Sequence, residues 1–237
     1  SYILIIIMTQ SITIIIGGLG INCNYFKEYI HDYILPHTAF VYVLQPNQSL
    51  KVQAKKIQMK LQRYDKRFYH IHCIGFSLGC MLLMKVLETP DLCNKVTFVN
   101  PCNLVLDTNQ YRYERWYKLL WKMPKCIKNL FLMYYQRTTE KKLHEPPNHM
   151  RYLLSKPYNH WESIVNHIGL TTTWVELIKN CSFHRRIKII QGNNDRYNKF
   201  SQLLALEYND RFSCHVVDGH HHLFVENPYA LFLYGCQ

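Results

Sequence analysis

A serine set between two glycines is the segment of this sequence best suited to covalent chemistry. Gly75-Phe76-Ser77-Leu78-Gly79 has the pattern G-x-S-x-G and follows an apolar run at 68–74 that predicts a strand. A nucleophile on a sharp strand-to-helix turn needs small residues two positions before and after it, because the helix and the strand approach closely there. The helix N-terminus also stabilises developing negative charge. We therefore predict that Ser77 is a nucleophile; the alternative is a turn serine that caps the helix.

A nucleophilic serine requires a general base, and the base requires a group that orients it. Asp195 comes just after a predicted strand at 187–191, and His221 comes just after a predicted strand at 213–217. Sites in open α/β sheets form at the carboxyl ends of the strands. We therefore expect Ser77, Asp195 and His221 to lie together at this edge as nucleophile, acid and base.

Other side chains compete for these roles. Asp107 and Asp218 are alternative acids, and Asp195 is alternatively a turn residue, since aspartate is common in turns. His220 and His222 are alternatives to His221. Three consecutive histidines can also bind a metal, but neighbouring side chains of one short segment rarely converge on one ion without other ligands. We therefore predict no metal site and no cofactor.

Strands and helices alternate on both sides of these residues. Strands are predicted at 12–16, 39–44, 68–74, 96–99, 187–191 and 213–217, and helices at 24–35, 80–87, 199–208, after Ser49 and from Pro228. This alternation predicts an α/β fold, with a mainly parallel sheet and helices on both faces.

One long segment breaks the alternation. Residues 103–184 are rich in tyrosine, tryptophan, leucine and lysine and are punctuated by prolines. They predict a helical cap, or lid, inserted into a core that comprises residues 1–102 and 185–237. The aromatic residues of the cap pack its helices or roof an acyl pocket, and the two interpretations are compatible. The predicted substrate-binding residues are Trp116 and Trp121 of the cap, with Gly18 and Phe76 of the core.

These features together resemble the α/β-hydrolase superfamily. The tail Gly219-His220-His221-His222-Leu223-Phe224-Val225-Glu226-Asn227-Pro228 is similar to a segment of epoxide-hydrolase-like and serine hydrolase-like members, in which the first of two paired histidines, five before the glutamate, is catalytic. That resemblance assigns the base to His221. Gly192-Asn193-Asn194-Asp195 resembles the acid turn of the family, whose members carry serine, acid and histidine in this order.

The same resemblance implies an oxyanion hole. Gly17-Gly18-Leu19-Gly20 resembles the oxyanion loop of the family, with Gly17 where a histidine is usual. The two donors would be the backbone N–H groups of Leu19 and Leu78. Because the nucleophile is a serine, the resemblance implies acyl chemistry, unlike dehalogenases and true epoxide hydrolases, which use a carboxylate.

The charge and the cysteine content of the sequence indicate which partners and which compartment to expect. The 237 residues carry a formal net charge of +12, part of it in a basic helical segment at 51–67. We interpret this segment as a solvated helix face, with peripheral contact to anionic surfaces as the alternative. No nucleic-acid motif accompanies it, so no nucleic-acid partner is expected. Nine scattered cysteines without a CxxC pair predict buried free thiols in a reducing compartment, and hence a cytoplasmic protein.

The amino-terminal stretch at 1–16 is apolar, but polar residues interrupt it and no basic residue precedes it, which argues against a secretory signal. Met8 is a candidate start. The predicted function is therefore a serine hydrolase that cleaves a carboxylic ester or thioester of a small-molecule acyl substrate. The alternatives are an acyltransferase or lyase that uses the same triad, and a noncatalytic ligand-binding homologue.

Overall fold

The computed structural model describes residues 10–19, 21, 38–102, 119–135, 154–156, 158–164, 166–167, 173–195 and 198–231. Its described strands form one six-stranded parallel sheet in the order β2-β1-β3-β4-β5-β6. The strands are β1 (Gln10–Ile16), β2 (Thr38–Tyr42), β3 (Tyr69–Phe76), β4 (Lys95–Val99), β5 (Ile187–Gly192) and β6 (Phe212–Val217). The predicted α/β fold with a parallel sheet is confirmed.

The helices of the described residues connect or cover these strands. They are α1 (Leu50–Leu61), α2 (Gly79–Val86), α3 (Lys125–Tyr135), α4 (Tyr158–Ile164), α5 (Trp174–Asn180), α6 (Asn198–Glu207), α7 (Leu223–Glu226) and α8 (Pro228–Ala230). None of the helices in the described part is long and apolar enough to cross a membrane. Helix α7 lies within the histidine-containing tail, where we predicted no helix; it is a single turn, too short for an apolar period to appear.

The central strands β1, β3, β4 and β5 are buried on both faces of the sheet, which explains their continuous apolar runs. Alternate residues of one strand point to opposite faces, so Ile14 and Ile15 of β1 belong to two separate core clusters. The larger cluster holds the buried faces of α1, α2 and α5, and the smaller one includes Phe224 of α7. This second cluster fixes the tail that carries the histidines against the end of the sheet.

The strand order changes direction between β1 and β3. The chain leaves β1 toward β2 on one side, whereas it leaves β3 toward β4 on the other side. Sites in open α/β sheets lie at such a switch point, beyond the carboxyl ends of the two strands. Gly17 follows β1 and Ser77 follows β3, so the predicted oxyanion loop and nucleophile meet there.

Several predicted element boundaries agree with the structure, and others fall outside the described residues. Ser49 begins helix α1 as predicted, with its hydroxyl accepting the N–H of Val52 at 3.3 Å. The helix predicted at 24–35 and most of the cap predicted at 103–184 lie outside the described residues. Within that cap range, Trp174 of α5 is buried and packs on Phe98 of the sheet. The boundaries of the cap stay a prediction.

The basic segment after Ser49 has the solvated face that its pattern indicated. The basic residues Lys51, Lys55, Lys56, Lys60 and Arg63 are exposed, while Ala54, Ile57 and Leu61 are buried. Contact of this face with an anionic surface stays a prediction. The cysteines at 73, 80, 93, 102, 126, 181 and 214 are free thiols, and all but the last and Cys126 are buried.

One buried histidine of the core couples stability to pH. His72 of β3 is 7% exposed, and its Nε2 lies 2.9 Å from the Thr97 hydroxyl on β4. Burial, aided by the positive charge of Lys95 and two further groups, lowers the pKa of His72 to about 3. The unfolded chain takes up this proton near pH 6.5 and the native chain does not, so the free energy of unfolding falls as pH drops below 6.5.

We expect His72→Gln to remove this dependence, because glutamine keeps a polar atom for Thr97 and does not titrate. Between pH 7.5 and pH 5, the wild type should lose about 2 kcal/mol more of its free energy of unfolding than the variant. Chemical denaturation at the two pH values measures the difference. Equal losses in the two proteins would contradict the assignment of the effect to His72.

Candidate active site

Ser77 occupies a strained turn between β3 and α2. Its φ of 51° is in the left-handed region, which non-glycine residues rarely adopt. Its N–H donates to the Val99 carbonyl at 2.9 Å, which ties the turn to the end of β4. Such strain at a reactive side chain is typical of functional sites and matches a nucleophile elbow.

The surroundings of Gly79 explain why the residue two positions after Ser77 must be small. A methyl group added to it would lie 2.5 Å from the Gly17 carbonyl oxygen and would also collide with the Ile16 carbonyl. Helix α2 therefore starts in direct contact with the end of β1. Without this contact, alanine would stabilise the first turn of a helix relative to glycine by about 1 kcal/mol.

Gly79→Ala should therefore reverse the usual effect of this substitution. We expect a loss of about 1–3 kcal/mol in the free energy of unfolding, because the methyl group must displace backbone that cannot rotate away. Urea denaturation of the two proteins gives the value. A variant as stable as the wild type, or more stable, would show that α2 and β1 do not approach this closely.

His221 joins the other two predicted residues. Its Nε2 lies 3.0 Å from the Ser77 hydroxyl oxygen, and its Nδ1 lies 2.8 Å from Asp195 Oδ2. The Asp195 side chain is fully buried and that of His221 is 22% exposed. An aspartate in this position holds the proton of the imidazole on Nδ1, which leaves Nε2 to accept the serine proton. The structure thus brings the serine, the histidine and the aspartate within hydrogen-bonding distance in the predicted order, and their catalytic roles stay a prediction.

The alternatives for base and acid are placed elsewhere. His220 turns its Nδ1 toward Glu226 Oε2, 2.9 Å away, and the His222 ring is buried with its centroid 5.9 Å from that of Phe76. His220 and His221 therefore bond to different carboxylates, those of Glu226 and Asp195, while the His222 ring packs against the rings of Phe76 and His221. Asp218 is exposed. Asp107 lies outside the described residues.

The predicted oxyanion loop lies directly against the serine. A methyl group added to Gly18 would be 2.8 Å from Ser77 Cβ, so the loop backbone packs on the nucleophile. The N–H of Gly17 donates to the Tyr42 carbonyl at 2.9 Å, which anchors the loop on β2. Leu78 is the residue before the first turn of α2, where helix N–H groups have no partner within the helix. The oxyanion roles of Leu19 and Leu78 stay a prediction.

Two of the predicted substrate-binding side chains have other contacts. Phe76 is 1% exposed and packs on His221, with ring centroids 5.2 Å apart, because alternation along β3 turns it into the core beside Ile74. The Phe76 ring is therefore in contact with the histidine, and its role in substrate binding stays a prediction. Trp121 is partly buried and donates its indole N–H to the Lys156 carbonyl. Trp116 lies outside the described residues.

Sequence reasoning missed two polar residues that hold the histidine segment. Asn100 directly follows the predicted strand at 96–99; it is completely buried and donates to the carbonyls of His220 and His221. Glu226 of the tail segment accepts the His220 N–H at 2.6 Å. The sequence does offer one indication of such a role for Asn100. It directly follows a predicted strand, and that strand comes in the sequence between the strand that precedes Ser77 and the strand that precedes Asp195.

A buried cysteine lies near the nucleophile. Cys102 is buried, and its thiol is close enough to the Ser77 side chain and to the Asp195 carboxylate for both to affect its pKa. Burial raises the pKa of the Cys102 thiol to about 12. Since the thiolate is the reactive form of cysteine, Cys102 does not compete with Ser77 as a nucleophile.

No protein-family model matches the sequence, and no curated protein matches it either. Solved structures do match. The chain is similar to N-formylmaleamic acid deformylase from Pseudomonas putida S16, with a TM-score of 0.64 and 11% identity over 96% of this chain and 92% of that one. It is also similar to the peroxisomal α/β-hydrolase Lpx1 from Saccharomyces cerevisiae, with a TM-score of 0.66 and 14% identity over 95% and 76%.

A third similar structure is the thioesterase domain from the curacin biosynthetic pathway, with a TM-score of 0.62 and 11% identity over 96% of this chain and 92% of that one. Identities this low relate folds and do not relate substrates. The parallel sheet, its order of strands and the turn at Ser77 agree with the same architecture. The chain therefore has the α/β-hydrolase fold.

Proposed function

We propose that this protein is a serine hydrolase that cleaves a carboxylic ester or thioester through an acyl-enzyme intermediate. One observation carries the proposal: His221 bridges the Ser77 hydroxyl at 3.0 Å and the buried Asp195 carboxylate at 2.8 Å. Each of the three residues follows a different strand of the sheet. A buried carboxylate, an oriented imidazole and a strained serine together are what an activated hydroxyl nucleophile requires.

Acylation begins when the Ser77 oxygen attacks the carbonyl carbon of the substrate and His221 Nε2 takes the hydroxyl proton. The resulting imidazolium is stabilised by Asp195, which keeps its own negative charge. The oxyanion of the tetrahedral intermediate accepts hydrogen bonds from the N–H groups of Leu19 and Leu78. His221 then gives its proton to the departing alcohol or thiol, and the acyl group stays on Ser77.

Deacylation repeats these steps with water. His221 takes a proton from water as it attacks the acyl carbon, and the oxyanion forms again at the same donors. Collapse of the intermediate releases the carboxylic acid and returns the proton to Ser77. Neither step needs a cofactor, because the three side chains and the two N–H groups provide the nucleophile, the proton transfers and the charge stabilisation.

Labelling and turnover test the proposal in one set of experiments. The wild type is incubated with a fluorophosphonate probe and analysed by intact mass, and it is assayed on acyl esters and thioesters of increasing chain length. We expect one covalent adduct and hydrolysis of at least one chain-length class. Products formed with added alcohol or amine acceptors separate hydrolysis from acyl transfer. A folded protein that neither reacts with the probe nor hydrolyses any substrate would favour the noncatalytic ligand-binding alternative.

A further inference from the structure

Asn100 connects three parts of the candidate site. It follows β4, the strand that lies between β3, which leads to Ser77, and β5, which leads to Asp195. Its side chain is completely buried. Its amide Nδ2 donates to the carbonyls of His220 at 3.0 Å and His221 at 2.6 Å.

The same side chain also binds the strand that leads to the acid. Asn100 Oδ1 accepts the N–H of Gly192, the last residue of β5, at 2.8 Å. Its backbone N–H donates to the Ile190 carbonyl at 3.0 Å. One residue is therefore hydrogen-bonded both to the start of the acid turn and to the backbone of the base itself.

We propose that Asn100 is a positioning residue that sets the place of the His221 imidazole between Ser77 and Asp195. The inference rests on the proposed function for its catalytic consequence. His221 lies in a segment that belongs to neither β6 nor α7, so the ladder of a strand or helix does not fix its backbone. The two bonds from Asn100 act at the carbonyls of His221 and His220, and only the first of these is on the base itself, whereas Glu226 holds the N–H of His220.

The chemistry of this position favours asparagine over other residues. Its φ is 46°, in the left-handed region that asparagine, aspartate and glycine tolerate best. Only a short amide offers both a donor for two carbonyls and an acceptor for the Gly192 N–H. Aspartate has the same shape but presents oxygen to the carbonyls of His220 and His221, and glycine accepts the φ but makes none of the side-chain bonds.

Two variants separate positioning from general stability. Asn100→Asp replaces the amide donor with an acceptor, whereas Asn100→Gly removes the side chain without adding charge. If one of these variants does not fold, the other still tests the proposal. Asn94→Asp is the matched control. Asn94 lies just before the opposite end of the same strand, where its Oδ1 accepts the Ile71 N–H at 2.8 Å, a bond that aspartate keeps.

The first readout is the rate of fluorophosphonate reaction at saturating probe, measured below the melting temperature of every variant. We expect a fall of about 10- to 100-fold for the Asn100 variants, the size that a displacement of about 1 Å can cause, and no change for Asn94→Asp. The second is the low-field proton resonance of the His221–Asp195 hydrogen bond in NMR spectra. It should be lost or shifted in the Asn100 variants and kept in the control.

These readouts keep the two hypotheses apart. If the wild type does not react with the probe, the proposed function fails, and the resonance still reports whether Asn100 holds His221. Folded Asn100 variants with a wild-type rate and resonance would overturn the positioning role. An equal slowing by Asn94→Asp would overturn it as well, because the effect would then come from loss of stability in β4.

Discussion

Ser77→Ala is expected to lower kcat for the best ester or thioester substrate by about 10⁴- to 10⁶-fold. Alanine removes the Ser77 oxygen that forms the acyl-enzyme in the proposed mechanism, while the rest of the side chain keeps its size. The residual rate would come from substrate binding and from the oxyanion donors, which still promote attack by water on the carbonyl carbon when the serine hydroxyl is absent. The measurement is turnover of the substrate found in the chain-length panel, with the fluorophosphonate adduct followed by intact mass in parallel.

Ser182→Ala is the matched control for this variant. Ser182 is a partly buried serine whose hydroxyl donates to the Glu88 carbonyl at 2.8 Å, away from the carboxyl edge of the sheet. It should keep both turnover and the adduct. Wild-type turnover by Ser77→Ala on every substrate would show that the measured hydrolysis does not pass through Ser77.

Asp195→Asn is expected to lower kcat by about 10⁴-fold, almost as much as Ser77→Ala, although it only replaces one carboxylate oxygen with an amide nitrogen. The Asp195 carboxylate accepts the Nδ1 proton of His221. An asparagine amide can instead donate to Nδ1, which moves the imidazole proton to Nε2, so that Nε2 no longer accepts the proton of Ser77. Because only the tautomer changes, the free energy of substrate binding should be nearly unaffected, and the loss should appear in kcat. Steady-state kinetics over a range of substrate concentrations separate the two parameters.

Asp218→Asn provides the comparison, since Asp218 was the other acid near this end of the sheet. Its side chain is exposed, and its backbone carbonyl accepts from Asn227 Nδ2 at 2.8 Å. The variant should retain wild-type kcat. A larger loss in Asp218→Asn than in Asp195→Asn would reassign the acid to Asp218 and would require the histidine segment to move.

The strands, the turn at Ser77 and the start of α1 could be predicted from the sequence, because each depends on residues that are neighbours in the chain. Apolar runs marked the strands, and the glycines beside Ser77 marked a turn that only small residues permit. Ser49 marked the start of α1 through its capping hydroxyl. Since parallel strands end at the same edge, residues that follow three of these strands were expected to meet, and Ser77, Asp195 and His221 do so.

Contacts between distant segments were decided only by the tertiary structure. Which of three consecutive histidines faces Ser77 depends on the path of the tail, and that path is set by Asn100, 120 residues earlier, and by the packing of Phe224 beneath it. The orientation of Phe76 is a second example, because strand alternation buries its ring against that of His221. A sequence pattern specifies turns and strand ends through local sterics, whereas the orientation of a side chain at the site follows from bonds between segments that meet only after the sheet has formed.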